Sequence, residues 1–151
     1  MSVETHLFRY ESPLGPVGLE LTGNVCHRIT LGAIRAPECS PDHPVALWLR
    51  AYFMGQILPL PEIAPPKTPF QQKLREGLLN IPAGKTCSYG ELARRLHSGA
   101  RAVGQALGAN PLPILIPCHR VVAANGPGGF AYGEEWKRKL LTWEASIQAA
   151  I

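Results

Sequence analysis

Ser88-Tyr89-Gly90-Glu91-Leu92-Ala93-Arg94-Arg95-Leu96-His97-Ser98-Gly99-Ala100-Arg101-Ala102-Val103-Gly104-Gln105-Ala106-Leu107 is the stretch on which the fold of this chain turns. Ser88 with Glu91 three positions later is a capping box, so a helix opens there and runs through Leu92, Ala93 and Leu96. His97-Ser98-Gly99 interrupts it, and a second helical stretch follows from Ala100 to Leu107. Two short helices joined by a few residues that include a glycine match a helix-turn-helix, and a plain αα-hairpin has the same outline.

Working upstream, Thr68-Pro69-Phe70-Gln71 is another capping box with proline at the first helical position. It leads into Phe70, Leu74 and Leu78 on one face, and Ile81-Pro82-Ala83-Gly84 ends that helix. The segment before it, Leu58 to Lys67, carries Pro59, Pro61, Pro65 and Pro66 and reads as a stiff, extended connector. Residues 45–54 have helical spacing between Pro44 and Gly55. Residues 6–10 and 17–21 alternate apolar and polar side chains around the break Ser12-Pro13-Leu14-Gly15-Pro16, and Val25 to Leu31 supplies a third strand. The expected fold is α/β of the α+β kind. A small β-sheet subdomain with a helix spans residues 1–63, a linker runs to about residue 67, and residues 68–151 form a mainly helical subdomain with the helix-turn-helix.

Composition bounds the function. At 151 residues, 46% hydrophobic and 17% charged, the chain is one ordinary domain or two small ones sharing a core, and too apolar to be disordered. It has no apolar run of about 18 residues, and its first residues lack a basic and then apolar leader, so neither a membrane span nor a secretory signal is expected. Four cysteines without a CxxC pair point to reduced thiols in a cytosol-like compartment. The net charge of +4 is unevenly placed. Residues 1–63 hold four Lys/Arg against six Asp/Glu, a net of −2, and residues 64–151 hold eleven against five, a net of +6. The basic half suits a polyanion, as it suits an ordinary basic surface.

Downstream of the two helices, Asn110-Pro111-Leu112-Pro113 leads into Ile114-Leu115-Ile116 and then Pro117-Cys118-His119-Arg120-Val121-Val122. Proline closes the apolar stretch, so Cys118 sits where the chain leaves regular structure. Cysteine beside histidine suggests a thiolate that a neighbouring base can generate, whereas a buried cysteine is more often inert packing.

The run Ile116-Pro117-Cys118-His119-Arg120-Val121 resembles the active-site signature of the O6-alkylguanine-DNA alkyltransferases, the methylated-DNA–protein-cysteine methyltransferases. The similarity extends upstream through Ser88 to Ala93, Arg101 to Leu107 and Asn110 to Pro113. It extends downstream through Gly128-Gly129-Phe130-Ala131, Lys137 and Leu140-Leu141-Thr142-Trp143-Glu144, over roughly residues 68–145.

The resemblance implies transfer of an alkyl group from guanine O6 to the protein's own cysteine, once, leaving a thioether. Cys118 would be the nucleophile, His119 its base by way of a bridging water, and Glu144 the group that polarises His119. The family binds DNA through its helix-turn-helix in the minor groove and flips the damaged nucleotide. Arg101 would then fill the vacated space in the stack. Tyr89 would crowd the adjoining phosphate and donate to guanine N3. Ala102, Gly104, Ala106 and Gly108 would let the helix approach the duplex, with Arg120 among the DNA-binding residues. In the pocket, backbone carbonyls of Cys118 and Val121 and the amide of Ala131 would read the guanine, Phe130 would wall it, and Lys137 would stand near the site. Asn110 would hold the turn before the active-site strand by side-chain hydrogen bonds.

Several positions depart from the family pattern. Ala131 replaces a common serine, and Phe130 a common tyrosine. Tyr132 stands where glycine is frequent, so its ring is expected to limit large O6 substituents. The turn His97-Ser98-Gly99 is shorter than in many relatives. Cys26-His27 and His6 are the only candidates for the structural metal some relatives carry, and without a full ligand set neither metal nor cofactor is expected. The expected partner is duplex DNA carrying O6-alkylguanine, met by a monomer, with cooperativity along DNA left open, in the cytoplasm at the nucleoid. An alkyltransferase-like, non-enzymatic lesion binder is the alternative, but that group lacks the cysteine. A helix-turn-helix regulator with an accessory domain leaves the Pro-Cys-His-Arg-Val run unexplained.

Overall fold

The alternating segments of the first third become a three-stranded antiparallel sheet of β1 (Thr5–Ser12), β2 (Gly15–Thr22) and β3 (Val25–Leu31), in that order. The computed structural model describes the backbone of residues 4–150 and the side chains of residues 4–147. Residues 1–3, read above for an export signal, lie outside that range. Val17, Leu19 and Leu21 of β2 and Ile29 of β3 are buried, as the period-2 pattern requires. A register shift at Glu20/Leu21 re-aims the end of the second hairpin.

Helix α1 (Pro44–Phe53) starts one residue before the expected 45, with Pro44 in the first turn, where its missing N–H costs nothing. Its N-cap is His43: Nδ1 accepts from the Val45 amide at 3.1 Å, which leaves Nε2–H to donate to the Gly23 carbonyl at 2.9 Å. Val45, Leu49, Tyr52 and Phe53 bury the inner face of this helix. Part of the proline-rich segment is extended and pairs with the sheet edge, the Cys26 amide donating to the Glu62 carbonyl and the Ala64 amide to the Cys26 carbonyl. The chain divides into two compact units, the first ending at Pro65 and the second beginning at Pro66.

The second unit holds α2 (Pro69–Leu79), β4 (Cys87–Ser88), α3 (Tyr89–Arg95), α4 (Ala100–Gly108), β5 (Val121–Val122) and α5 (Glu134–Ala150). Thr68 caps α2, its Oγ1 accepting from the Gln71 amide at 3.0 Å. The Gln71 side chain does not return to the cap. It donates instead to the Ala106 carbonyl at the end of α4, 3.2 Å away, tying the first helix of the unit to the third.

Ser88 caps α3 through the Glu91 amide at 3.1 Å. The break between α3 and α4 is short because it is a Schellman ending: the Ser98 amide reaches the Ala93 carbonyl and the His97 amide the Arg94 carbonyl, with His97 at φ +53°. Histidine tolerates the left-handed region better than most side chains, and Gly99 can start α4 at once. Two-residue strands β4 and β5 pair in parallel, Cys87 with Val121 and Ser88 with Val122, and so join the start of α3 to the segment after Cys118.

The expected active-site strand is absent. Residues 113–115 form a turn, with Ile114 at φ +74° and the Ile116 amide returning to the Leu112 carbonyl at 2.8 Å. Pro111, Pro113 and Pro117 supply no N–H to a ladder, which leaves the apolar run to pack as a buried turn. Leu112, Ile114, Leu115 and Ile116 are all at or below 1% exposure and form the unit's core with Leu74, Leu78, Leu92 and Leu140. No helix among the described residues is long and apolar enough to cross a membrane. Among the same residues, Cys26, His27 and His6 join no group of three potential metal ligands.

Candidate active site

Cys118 opens a single 3-10 turn (Cys118–Arg120), its amide held to the Ile116 carbonyl at 2.7 Å. The turn is placed by Asn110, which is buried. Its Nδ2 donates to the Ile116 carbonyl at 3.0 Å, and its Oδ1 accepts from the Leu112 amide at 3.2 Å. The side chain thus bridges the end of α4 and the residues leading to the cysteine. Burial pushes the Cys118 thiol up to about 11, against the opposing pull of the Asn110 amide, a backbone hydrogen bond and the Lys137 charge. At neutral pH Cys118 is a thiol and needs a base to become a nucleophile.

The adjacent residue is a histidine. His119 is fully buried, and its Nε2 stands 2.8 Å from Glu144 Oε2 on α5. Burial pulls its pKa below the ordinary imidazole value, while the Glu144 hydrogen bond and charge resist. A neutral ring with Nε2–H donating to the carboxylate leaves Nδ1 as the basic atom, and this buried Nδ1 has no protein partner.

Glu144 is held by more than the histidine. Arg120 grips it in bidentate fashion, Nε to Oε1 at 3.0 Å and Nη2 to Oε2 at 2.9 Å, and Arg120 Nη1 donates to the Ile81 carbonyl at 2.6 Å. Burial works to raise the Glu144 pKa, but the hydrogen bonds and charges of His119 and Arg120 outweigh it and hold the carboxyl at about 2. The carboxylate is therefore ionised at neutral pH.

Arg120 corrects the sequence expectation. It was expected to bind DNA, yet its side chain is only 11% exposed and its guanidinium is committed to Glu144 and Ile81. Nothing in the linear pattern signals this, because the partner lies 24 positions away on another helix.

Lys137 is buried on α5. Its Nζ donates to the carbonyls of Val121 at 2.7 Å and Gly129 at 2.9 Å, and it lies 5.8 Å from the centre of the Tyr89 ring. Burial lowers its pKa, with the Cys118 charge acting the other way. Tyr89, at the first position of α3, donates its hydroxyl to the same Gly129 carbonyl at 3.4 Å. Gly128, at φ +77°, lets the loop pass so close that a Cβ there would meet Tyr89 Oη at 2.9 Å. This seat for Tyr89 was also missed in the sequence, where Gly128-Gly129 showed only as a motif.

A cavity of about 240 Å³ opens beside Cys118, walled by Tyr89, Phe130 and Ala131 and by Gly104, Leu107 and Gly108 of α4. Of the expected pocket residues, Phe130 and Ala131 line it. Val121 is fully buried behind, under Lys137, and Tyr132 turns away to donate its hydroxyl to the Asn110 carbonyl at 2.6 Å. Arg101 and Ala102 are exposed on the first turn of α4, away from its buried side chains Val103, Ala106 and Leu107. A Cβ placed at Gly104 or Gly108 would meet nothing within 4 Å, so helix packing does not require glycine at either position.

Against this geometry stand the known proteins. The family model for the 6-O-methylguanine DNA methyltransferase DNA-binding domain matches residues 69–146. The methylated-DNA–protein-cysteine methyltransferase of Mycobacterium bovis is 38% identical over 154 aligned residues, covering 93% of each chain. That of Methanocaldococcus vulcanius is 49% identical over 75 residues, half of this chain, and the match spans only 47% of that protein. The crystal structure of a Mycobacterium tuberculosis O6-methylguanine methyltransferase superposes with a TM-score of 0.79 at 35% identity, covering 95% of this chain and 94% of that one. With sequence likeness over nearly the full length and the same architecture in both units, the chain belongs to the methylated-DNA–protein-cysteine methyltransferase family.

Proposed function

We propose that this protein repairs DNA by moving an alkyl group, methyl in the simplest case, from guanine O6 in duplex DNA onto Cys118 Sγ in a single, irreversible turnover. The observation that carries this reading is the buried Cys118 thiol followed directly by a neutral histidine whose far nitrogen is fixed on an ionised, arginine-held carboxylate. His119 Nδ1 takes the thiol proton by way of a water. The thiolate attacks the alkyl carbon, the C–S bond forms, the C–O6 bond breaks and its electron pair passes to the guanine. In the balance the thiol's hydrogen ends on the restored guanine, which stays in the DNA. Glu144 stabilises the imidazolium while it exists, and Arg120 holds Glu144 in line. Tyr89 donates to guanine N3 as the leaving group gains charge. No step regenerates the thiol, so the protein is consumed stoichiometrically.

Base access falls to α3 and α4. Arg101, Ala102, Gly104 and Tyr89 form the DNA-facing set, Arg101 filling the stack once the damaged nucleotide is turned into the cavity. Glycines that packing does not require support close approach of a ligand to α4. A Mycobacterium tuberculosis OGT solved in complex with DNA has a TM-score of 0.78 to this chain at 36% identity. On this reading residues 68–151 are the DNA-binding alkyltransferase domain and residues 1–63 an accessory subdomain. The protein acts as a monomer in the cytoplasm at the nucleoid.

The test uses a duplex with radiolabelled methyl on guanine O6. One equivalent of label per protein is expected on Cys118, and none after Cys118→Ser. Undiminished transfer by that variant, or lesion binding without transfer by the wild type, overturns the reading, the latter in favour of a non-enzymatic lesion binder.

A further inference from the structure

The loop between β5 and α5 carries two walls of the cavity, Phe130 and Ala131, and three side-chain hydrogen bonds pin it. Two converge on one carbonyl, that of Gly129, from Tyr89 and Lys137. The third lies beyond the walls, where Tyr132 Oη donates to the Asn110 carbonyl at 2.6 Å, the shortest of the three. The Tyr132 ring also supports Phe130 edge-on, with centroids 5.4 Å apart at 62°.

The acceptor is informative. Asn110 already uses both ends of its side chain on the segment that delivers Cys118, through Ile116 and Leu112. Its backbone carbonyl then takes the Tyr132 hydroxyl. One residue therefore fixes the nucleophile with its side chain and the opposite wall of the cavity with its main chain. The Tyr132 ring is not among the cavity's lining side chains, so it does not itself occupy the space into which an alkyl group would extend.

From this geometry we infer that the Tyr132 hydroxyl is a latch that sets the size of alkyl group accepted: closed on Asn110, it holds the Phe130–Ala131 wall at the small-cavity spacing, and a bulky O6 substituent enters only when it opens. Tyr132 is thus a specificity-determining positioning residue that acts through Phe130 and Ala131, and selectivity lies in one hydrogen bond. This differs from the sequence expectation, in which the bulk of the ring obstructs large groups. The inference rests on the alkyl-transfer reading above for its substrate.

The test compares wild type, Tyr132→Phe and Tyr132→Ala. Tyr132→Phe keeps the ring and its contact with Phe130 and removes only the hydroxyl. Second-order rate constants are measured for transfer from O6-methylguanine in duplex DNA and from free O6-benzylguanine. For Tyr132→Phe the benzyl-to-methyl ratio of rate constants is expected to rise about fivefold, the scale of one net hydrogen bond. If Tyr132→Phe leaves the benzyl-to-methyl ratio at the wild-type value and only Tyr132→Ala raises it, ring bulk is the determinant and the latch is refuted. Amide hydrogen exchange of residues 128–133 in the DNA-free protein gives a readout independent of chemistry. Faster exchange in Tyr132→Phe supports the latch even if no alkyl transfer is found, a result that would sink the functional reading alone. Unchanged exchange overturns the latch.

Discussion

The two units treat buried polar groups in opposite ways. In the first, Arg28 meets Glu20 at 3.2 Å where water reaches both, on side chains 56% and 39% exposed. The buried polar or charged residues among those described, Arg75, Asn110, His119, Lys137 and Glu144, all belong to the second. Exposed pairs of the first kind contribute about 0–1 kcal/mol, whereas a buried pair faces a desolvation cost that its attraction does not reliably repay. A set of charges kept in the core against that cost marks chemistry rather than stability.

The cysteines repeat the lesson. Burial raises Cys26 in the sheet to about 12 and Cys118 to about 11, so the thiols alone are nearly alike. Around Cys26 the nearby charges, Cys39 and Glu20, add to the rise, opposed only by a backbone hydrogen bond at Arg28. Around Cys118 the neighbours are an amide and an ammonium that favour the thiolate. The difference lies in the surroundings: those of Cys118 favour the thiolate, and the charges around Cys26 oppose it.

The contrast can be broken most forcefully at Glu144. Glu144→Ala leaves the Arg120 guanidinium and the His119 ring buried without their acceptor and is expected to cost about 3–5 kcal/mol of unfolding free energy. Glu20→Ala in the first unit should cost under about 1 kcal/mol. Denaturant titration of both variants measures the pair, and similar losses would erase the distinction.

Acid probes the same network. The Glu144 carboxyl is depressed in the folded state, from 4.5 to about 2, so its contribution is complete above its unfolded value and lost as pH falls through that window. The loss is roughly 3 kcal/mol between pH 5 and pH 2. His119, also depressed, adds a loss of the same sign beginning below 6.5. Unfolding free energies measured against pH should show the steep acid limb in wild type and a shallower one below pH 4.5 in Glu144→Gln.

Smaller effects separate two glycines of the second unit. Gly128→Ala forces a side chain into the left-handed region and against Tyr89, costing about 1–2 kcal/mol in thermal or chemical unfolding. Gly104→Ala meets open space inside a helix and should stabilise by about 0.5–1 kcal/mol. If α4 meets the duplex as proposed, the same change weakens DNA repair, and a variant both more stable and fully active would count against that role.

Local chemistry was readable directly. The caps Thr68 and Ser88, the alternation in β1 and β2 and the start of α4 after Gly99 are decided within a few residues, and the structure follows them with shifts of a residue or two. Where reading failed, distant groups intervened. Gln71 has the place of the second half of a capping box, but the Ala106 carbonyl at the end of α4 takes its side-chain amide instead. The strand that the family resemblance implies after Asn110 does not form at Ile114-Leu115-Ile116, since prolines on both sides deny this apolar run a ladder.

The cysteine-histidine pair, the helix starts, the uneven charge and the family signature were determined by the sequence itself, since each depends on residue type at short spacing. The tertiary structure alone decided that Arg120 turns inward to Glu144, that Lys137 and Tyr89 meet at Gly129, and that Tyr132 reaches Asn110. Those contacts join residues 8 to 40 positions apart. Which of several equally able donors satisfies a buried carboxylate or carbonyl depends on how the helices pack, and packing is a property of the whole core.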